Sequence, residues 1–258
     1  MTRLFVTDID GCLADPYTPF NLEHLSLLAE RTARAGRPGD DPVLPAISIC
    51  SGRSYPYVEA MCQLLGCRVP VLFESGAGMF DCGKATCTWH PKATSAVRRQ
   101  VDQVRAYMEG VVAGTGMSID YAKVLQAALV GTDPGELAEA ATRIASWVRE
   151  NAPDFETFTT HVSIDVVPRW LTKREGLMWL SDTTGVPLDE MAYMGDTNGD
   201  IGALEVVGAS FAPANARPEV KQVVDTVTPS PYARGVIDAF VFLVASNEDR
   251  LHALNGSK

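Results

Sequence analysis

The sequence has no apolar run long enough to span a bilayer. It has no excess of positive charge either: 22 lysines and arginines stand against 32 aspartates and glutamates, a formal charge of −10. A surface that acidic disfavours nucleic acid and anionic membrane as partners. The first residues lack the basic, apolar and small-residue sections of a signal peptide, which predicts a cytoplasmic protein. There is no Walker-type phosphate loop. "SGAG" at 75–78 lacks the third glycine and the downstream acid of a dinucleotide fingerprint. No repeat of fixed period and no low-complexity tract interrupts the 258 residues. The four histidines (24, 90, 161 and 252) fall at no metal-ligand spacing. The six cysteines (12, 50, 62, 67, 82 and 87) do not fit the short-spaced zinc patterns. A metal knuckle or a disulfide pair among the last four is the alternative to the expected reading, reduced thiols. Cys12 and Cys50 read as small apolar fillers.

What remains is an ordinary globular composition, 46% apolar and 21% charged, with chemistry placed at particular points. Residues 4–9, 46–50 and 69–75 read as buried strands. Between them lie a helix capped by Asn21 and stopped by Gly36, and a second helix carrying Val58, Met61, Leu64 and Leu65. Strand, helix, strand, helix, strand predicts a parallel sheet covered on both faces. After Gly76 the pattern changes to a short hairpin about Cys82–Gly83. Two rounds of helix and strand pair follow, with helices at 94–113 and 134–151. From Lys173 the alternation returns: a helix over 173–184, strands at 191–195 and 209–213, a helix at 216–224 and a last one near 233–245. The expected fold is therefore α/β, a doubly wound, mostly parallel Rossmann-like sheet. An α+β domain over 82–167 interrupts a core formed by 1–81 and 168–258.

In such sheets, ligands sit beyond the carboxyl ends of the strands. Four strand or loop ends carry polar groups: Asp8 and Asp10 after the first strand, Ser51 after the second, Lys173 at a helix start, and Asp196 with Asp200 in "MGDTNGDI". Taken singly each is commonplace. Asp10–Gly11 makes a turn, Ser51 caps a helix, and Lys173 is a surface lysine. Taken together, four carboxylates, a hydroxyl and an amine suit phosphoryl transfer. Clustered carboxylates call for a hard divalent cation. An aspartate can attack phosphorus, and a second acid can protonate the leaving oxygen. A lysine and a hydroxyl can hold the phosphoryl oxygens.

"DIDG" at 8–11, "ICSGR" at 49–53, Lys173 in "LTKREGL" and "GDTNGD" at 195–200 resemble, in order and spacing, the four motifs of the haloacid dehalogenase-like (HAD) phosphohydrolases. "ESGAG", "DVVP" and "NARPEVK" resemble the flanks of the Cof-like branch, which carries a C2-type cap between its second and third motifs. The resemblance implies a magnesium-dependent phosphatase of a small phosphorylated metabolite, such as a sugar phosphate or phosphoglycolate, working through an aspartyl-phosphate. Asp8 is then the nucleophile and a metal ligand. Asp10 is the general acid and base and lends its carbonyl to the metal. Ser51 and Lys173 hold the phosphoryl group, with Gly11, Gly52, Arg53 and Asn198 around it; Arg53 reads equally as a substrate contact or as a strand-end salt bridge. Asp196 and Asp200 complete the Mg2+ site. Two positions depart from the pattern: Gly199 stands where the fourth motif usually has asparagine, and Ser75 where relatives often do. The alternatives are a phosphomutase of the same superfamily and a phospho-accepting signalling module. The second has no use for Asp10 or for the insert.

Overall fold

Leu4–Thr7, buried on both faces, forms β1, an interior strand of a parallel sheet in the computed structural model, which describes residues 1–256. Its neighbours are β2 (Ala46–Ile49) and β10 (Met191–Met194). Beyond β10 lie β11 (Ala209–Ala212) and a two-residue strand, β12 (Thr226–Val227), giving the order β12-β11-β10-β1-β2. All these pairs are parallel. A parallel sheet must be covered on both faces. Phe5 and Ile47 point into a core shared with α1 (Leu22–Ala35), α2 (Tyr55–Leu65) and α8 (Tyr232–Gly256). Leu4, Val6 and Tyr193 point the other way, toward α5 (Lys173–Thr184), α6 (Ile201–Leu204) and α7 (Pro218–Lys221).

Helix limits follow local chemistry. The Asn21 side chain accepts from the His24 N–H at the start of α1, and Gly36 ends it with φ of 70°. Thr172 caps α5 in the same way, and Gly185 stops it in the left-handed conformation. The last helix runs well past the expected 245. Asn247, buried on that extension, accepts from Thr2 N and donates to the carbonyls of Thr2 and Val43. Those contacts come from the other end of the chain, so no local pattern announces them. The helix expected at 216–224 shrinks to the single turn of α7.

The third strand also departs from expectation. β3 (Val71–Phe73) keeps one parallel bridge to the end of β2, between Cys50 and Leu72. Its main partner is β4 (Gly78–Asp81), antiparallel, which pairs in turn with β5 (Thr86–Trp89). A tight 3-10 turn over Glu74–Gly76 reverses the chain between β3 and β4. Gly76 has φ of +97°, and a Cβ there would lie 2.5 Å from the Cα of Gly176. Glycine at both positions lets α5 press directly against the turn.

The inserted layer consists of α3 (Ser95–Val112), β6 (Ser118–Ile119), β7 (Ala127–Val130), α4 (Pro134–Asn151), β8 (Phe155–Thr159) and β9 (Ser163–Pro168). Its four strands form an antiparallel sheet in the order β6-β7-β9-β8. The two helices cover one face through Val104, Met108 and Ile144 packed on Leu129, Ile164 and Val166. No helix among the described residues is long and apolar enough to cross a membrane.

One buried acid joins this layer to the parallel sheet. Glu74, fully buried with φ of 47°, accepts from Val124 N at 2.9 Å and Leu125 N at 2.8 Å. Burial raises its carboxyl, and those two N–H groups work against the rise. Glu74→Ala should leave both donors without a partner and lower stability by about 2–3 kcal/mol. For a chain of this size that is a melting temperature lower by about 5–10 °C. A calorimetric scan checks it, and an unchanged midpoint would show the pair to be replaceable by water.

Candidate active site

β1 lies between β2 and β10, where the chain departs to opposite sides of the sheet, so the loops after these three strands open on one crevice. Asp8 follows β1 and is 5% exposed. One of its oxygens accepts from Ile9 N at 2.7 Å, the other from Lys173 Nζ at 2.5 Å. Lys173 is the first residue of α5, and its ammonium reaches Asp200 Oδ1 at the same distance of 2.5 Å. One oxygen from each of Asp8, Asp196 and Asp200 lies within 4.8 Å of the others. The sequence-selected acids 8, 196 and 200 and the amine 173 thus form one buried cluster, although up to 192 positions separate them.

The three acids are not equivalent. Asp200 Oδ1 accepts from Lys173 and from Tyr193 Oη at 2.7 Å. Its Oδ2 accepts from Asp196 N, Thr197 N and Thr197 Oγ1. Burial works against its charge, but Lys173 and these donors outweigh burial and hold the carboxyl below its ordinary value. Asp196 is the opposite case. Its Oδ1 is buried without a hydrogen-bond partner among the described residues. Burial, then Asp200 and Asp8, push its carboxyl up to about 8. Asp8 is raised to about 6, mainly by burial, with Lys173 opposing. Lys173 itself stays charged: burial disfavours its ammonium, but Asp200 and Asp8 raise it well above its ordinary value. One ammonium cannot balance three carboxylates. An orphaned carboxylate oxygen beside that residual negative charge fits a hard divalent cation held by Asp8 and Asp196.

Asp10 lies apart from the cluster. Its two oxygens accept from Arg53 Nη2 at 2.7 Å and Nε at 2.6 Å, a two-point ion pair. Arg53 is held over the rings of Tyr17 and Tyr57, at 4.8 and 4.9 Å. Gly11 follows with φ of +75°, and a Cβ there would sit 2.0 Å from Asp196 Oδ2. Only glycine lets that carboxylate approach. Ser51, fully buried at the end of β2, is fixed by backbone bonds from its N–H to Leu72 O and to its carbonyl from Ser75 N. Gly52 sits beside Ser75, with 3.6 Å between a Cβ built there and Ser75 Oγ. Asn198 is exposed at the start of a short 3-10 turn.

Several supporting residues escaped the sequence reading. Tyr193 donates to Asp200 from the middle of an apolar strand, where nothing marks it. Thr197 and Asp200 make a reciprocal capping box, a spacing that the sequence does carry. Asn215 donates to the Gly11 carbonyl at 2.8 Å and accepts from Tyr232 N, tying the first loop to the start of α8.

Residues 114–240 match the sequence family described as haloacid dehalogenase-like hydrolase. The chain superposes on a crystal structure from Thermoplasma acidophilum with a TM-score of 0.74 at 21% identity, covering 94% of this chain and 98% of that one. A haloacid dehalogenase-like hydrolase from Bacteroides thetaiotaomicron gives 0.73 at 16% identity, covering 94% and 100%. The family match covers just under half of the chain, and the two crystal structures share its fold along nearly all of it. Among its curated relatives, a phosphoglycolate phosphatase of Natronomonas pharaonis is 24% identical over 253 residues, 93% of this chain and 96% of that protein. The haloacid dehalogenase-like match spans most of the inserted layer and the return to the parallel sheet, so Lys173, Asp196 and Asp200 lie within it.

Proposed function

We propose that the protein is a magnesium-dependent phosphatase of a small phosphorylated metabolite, of the phosphoglycolate or sugar phosphate kind, and that it works through an aspartyl-phosphate on Asp8. The observation that carries this reading is the pairing of a buried, lysine-bound Asp8 with the orphaned oxygen of Asp196. A carboxylate oxygen of Asp8 attacks phosphorus, and the bond to the substrate alcohol breaks. Asp10, once the incoming anion has drawn Arg53 away and it has taken a proton from solvent, gives that proton to the departing oxygen. It then takes a proton from the water that attacks the aspartyl-phosphate. Ser51 and Lys173 hold the phosphoryl oxygens, and Lys173 keeps Asp8 ionised and aimed. Magnesium bound by Asp8 and Asp196 would supply charge neutralisation to the same oxygens. The inserted α+β layer, read as residues 82–167, acts as a cap that selects the part of the substrate beyond the phosphate. The Natronomonas relative, a phosphoglycolate phosphatase by name, supports the small-substrate reading.

The test is phosphate release from phosphoglycolate, a panel of sugar phosphates and an aryl phosphate, with magnesium and with excess chelator. Hydrolysis that needs magnesium is expected. Full activity in chelator would sink the metal assignment, and transfer to an added sugar alcohol in place of water would make the enzyme a mutase.

The same cluster sets a pH dependence of stability. In the unfolded chain the carboxyls of Asp8 and Asp196 lose their protons near 3.8, whereas the fold retains them up to about 6 and about 8. Between these values the folded state binds more protons than the unfolded one, so stability falls as pH rises. Cation-free protein should therefore melt lower at pH 8 than at pH 5. Magnesium, binding the native state, should raise the midpoint more at pH 8. Equal midpoints at the two pH values in chelator would contradict the cluster's electrostatics.

A further inference from the structure

Helix α2 starts beside the crevice and ends about 15 Å further along its axis, where three thiols meet. Gly66 closes the helix in the left-handed conformation, and the Cys67 N–H returns to the Cys62 carbonyl at 3.1 Å. That terminal turn brings the side chains of its two ends together. The turn between β4 and β5 adds Cys82. Cys62 and Cys67 lie in one core cluster, and Cys82 packs against it. All three line a cavity of about 650 Å³, together with Arg37, Asp40 and Arg68. Cys62 and Cys67 are buried, Cys82 is half-buried, and all are free thiols.

The three have different characters. The neighbouring Cys67 thiol lowers the Cys62 thiol against the effect of burial, and so favours the Cys62 thiolate. The Cys62 thiol, with burial, holds Cys67 well above the ordinary thiol value. Cys67 is also fixed by the helix-ending turn, whereas Cys82 sits on a hairpin turn with access to the cavity.

We propose that Cys62 is an oxidation site for small hydroperoxides, with Cys82 as the thiol that resolves it. The Cys62 sulfur attacks the terminal peroxide oxygen. The O–O bond breaks, and the remaining oxygen leaves as water or an alcohol after taking a proton. Cys62 is then a sulfenic acid, oxidised by two electrons while the peroxide is reduced. The Cys82 sulfur attacks Cys62, the S–O bond breaks, and hydroxide leaves with the Cys82 proton as water. The product is a Cys62–Cys82 disulfide that staples the end of α2 to the β4–β5 turn, and a thiol reductant reverses it.

The experiment uses the full chain carrying Cys87→Ser, since Cys87 is exposed on β5 and would react on its own. One equivalent of hydrogen peroxide is added, free thiols are alkylated, and peptides are mapped without reduction. The expected product is a Cys62–Cys82 linkage, with a thiol titre lower by two that dithiothreitol restores. Cys82→Ser on the same background should accumulate a dimedone-reactive Cys62, and a melting curve of its reduced form confirms that it folds. A dominant Cys62–Cys67 linkage would overturn the role of Cys82. Full alkylation of Cys62 after peroxide, or first oxidation at Cys12 or Cys50, would overturn the site.

Discussion

Asp8→Asn should keep its fold and lose phosphate release by roughly four to six orders of magnitude, the loss seen when one member of a catalytic unit is removed. The amide matches the carboxylate in shape, and its oxygen can still accept from Lys173, which lies 2.5 Å from the acid. It has no electron pair fit to attack phosphorus, so the first bond cannot form. Stability should move the other way. The fold raises the Asp8 carboxyl to about 6, so its charge is disfavoured at neutral pH. A neutral amide removes that penalty, and cation-free Asp8→Asn should melt no lower than the wild type at pH 8. Stopped-flow trapping of phosphoenzyme, together with a melting curve, reads both effects. Turnover within about tenfold of wild type would exclude Asp8 as nucleophile.

Lys173→Met should damage both properties. Lys173 is 7% exposed, and its ammonium sits between two carboxylates at 2.5 Å each. Removing it leaves buried carboxylates with no cation between them, a change that costs about 3–5 kcal/mol. The melting temperature should fall by about 10 °C or more, and hydrolysis should become undetectable. Acidification or magnesium should recover part of the stability, since each reduces the unbalanced negative charge. Neither should recover activity, because methionine cannot hold a phosphoryl oxygen. A midpoint within about 2 °C of wild type at pH 8, a shift too small for a buried charge, would mean that the carboxylates are held apart by something else.

The parts of this molecule legible in the sequence are those fixed by neighbouring residues. Asn21 and Gly36 bound α1 because a cap and a left-handed stop act within a few positions. The helix over 173–184 was legible for the same reason. The four site segments were legible because a parallel sheet collects its strand ends, which is a property of topology and not of any single contact. What could not be read lies in contacts between distant segments. Asp10 and Arg53 are 43 positions apart, and no pattern tells that they pair while Asp8 takes Lys173. Tyr193 looks like any strand residue until its hydroxyl is seen against Asp200. β3 reads as one more parallel strand, whereas a tight turn over Glu74–Gly76, all three residues at positive φ, sends the chain back antiparallel.

Glu74 carries a consequence for anyone who would re-engineer this scaffold. Its side chain grips the 124–125 segment, while its own N–H bonds to the Arg53 carbonyl and the next N–H, that of Ser75, bonds to the Ser51 carbonyl. Residue 74 is thus a mortise shared by two components that recombination would treat as separable. A donor module spliced in to change selectivity must bring two backbone N–H groups to the same place. Without them the acid is stranded in the interior, and the segment bearing Ser51 and Arg53 loses its brace.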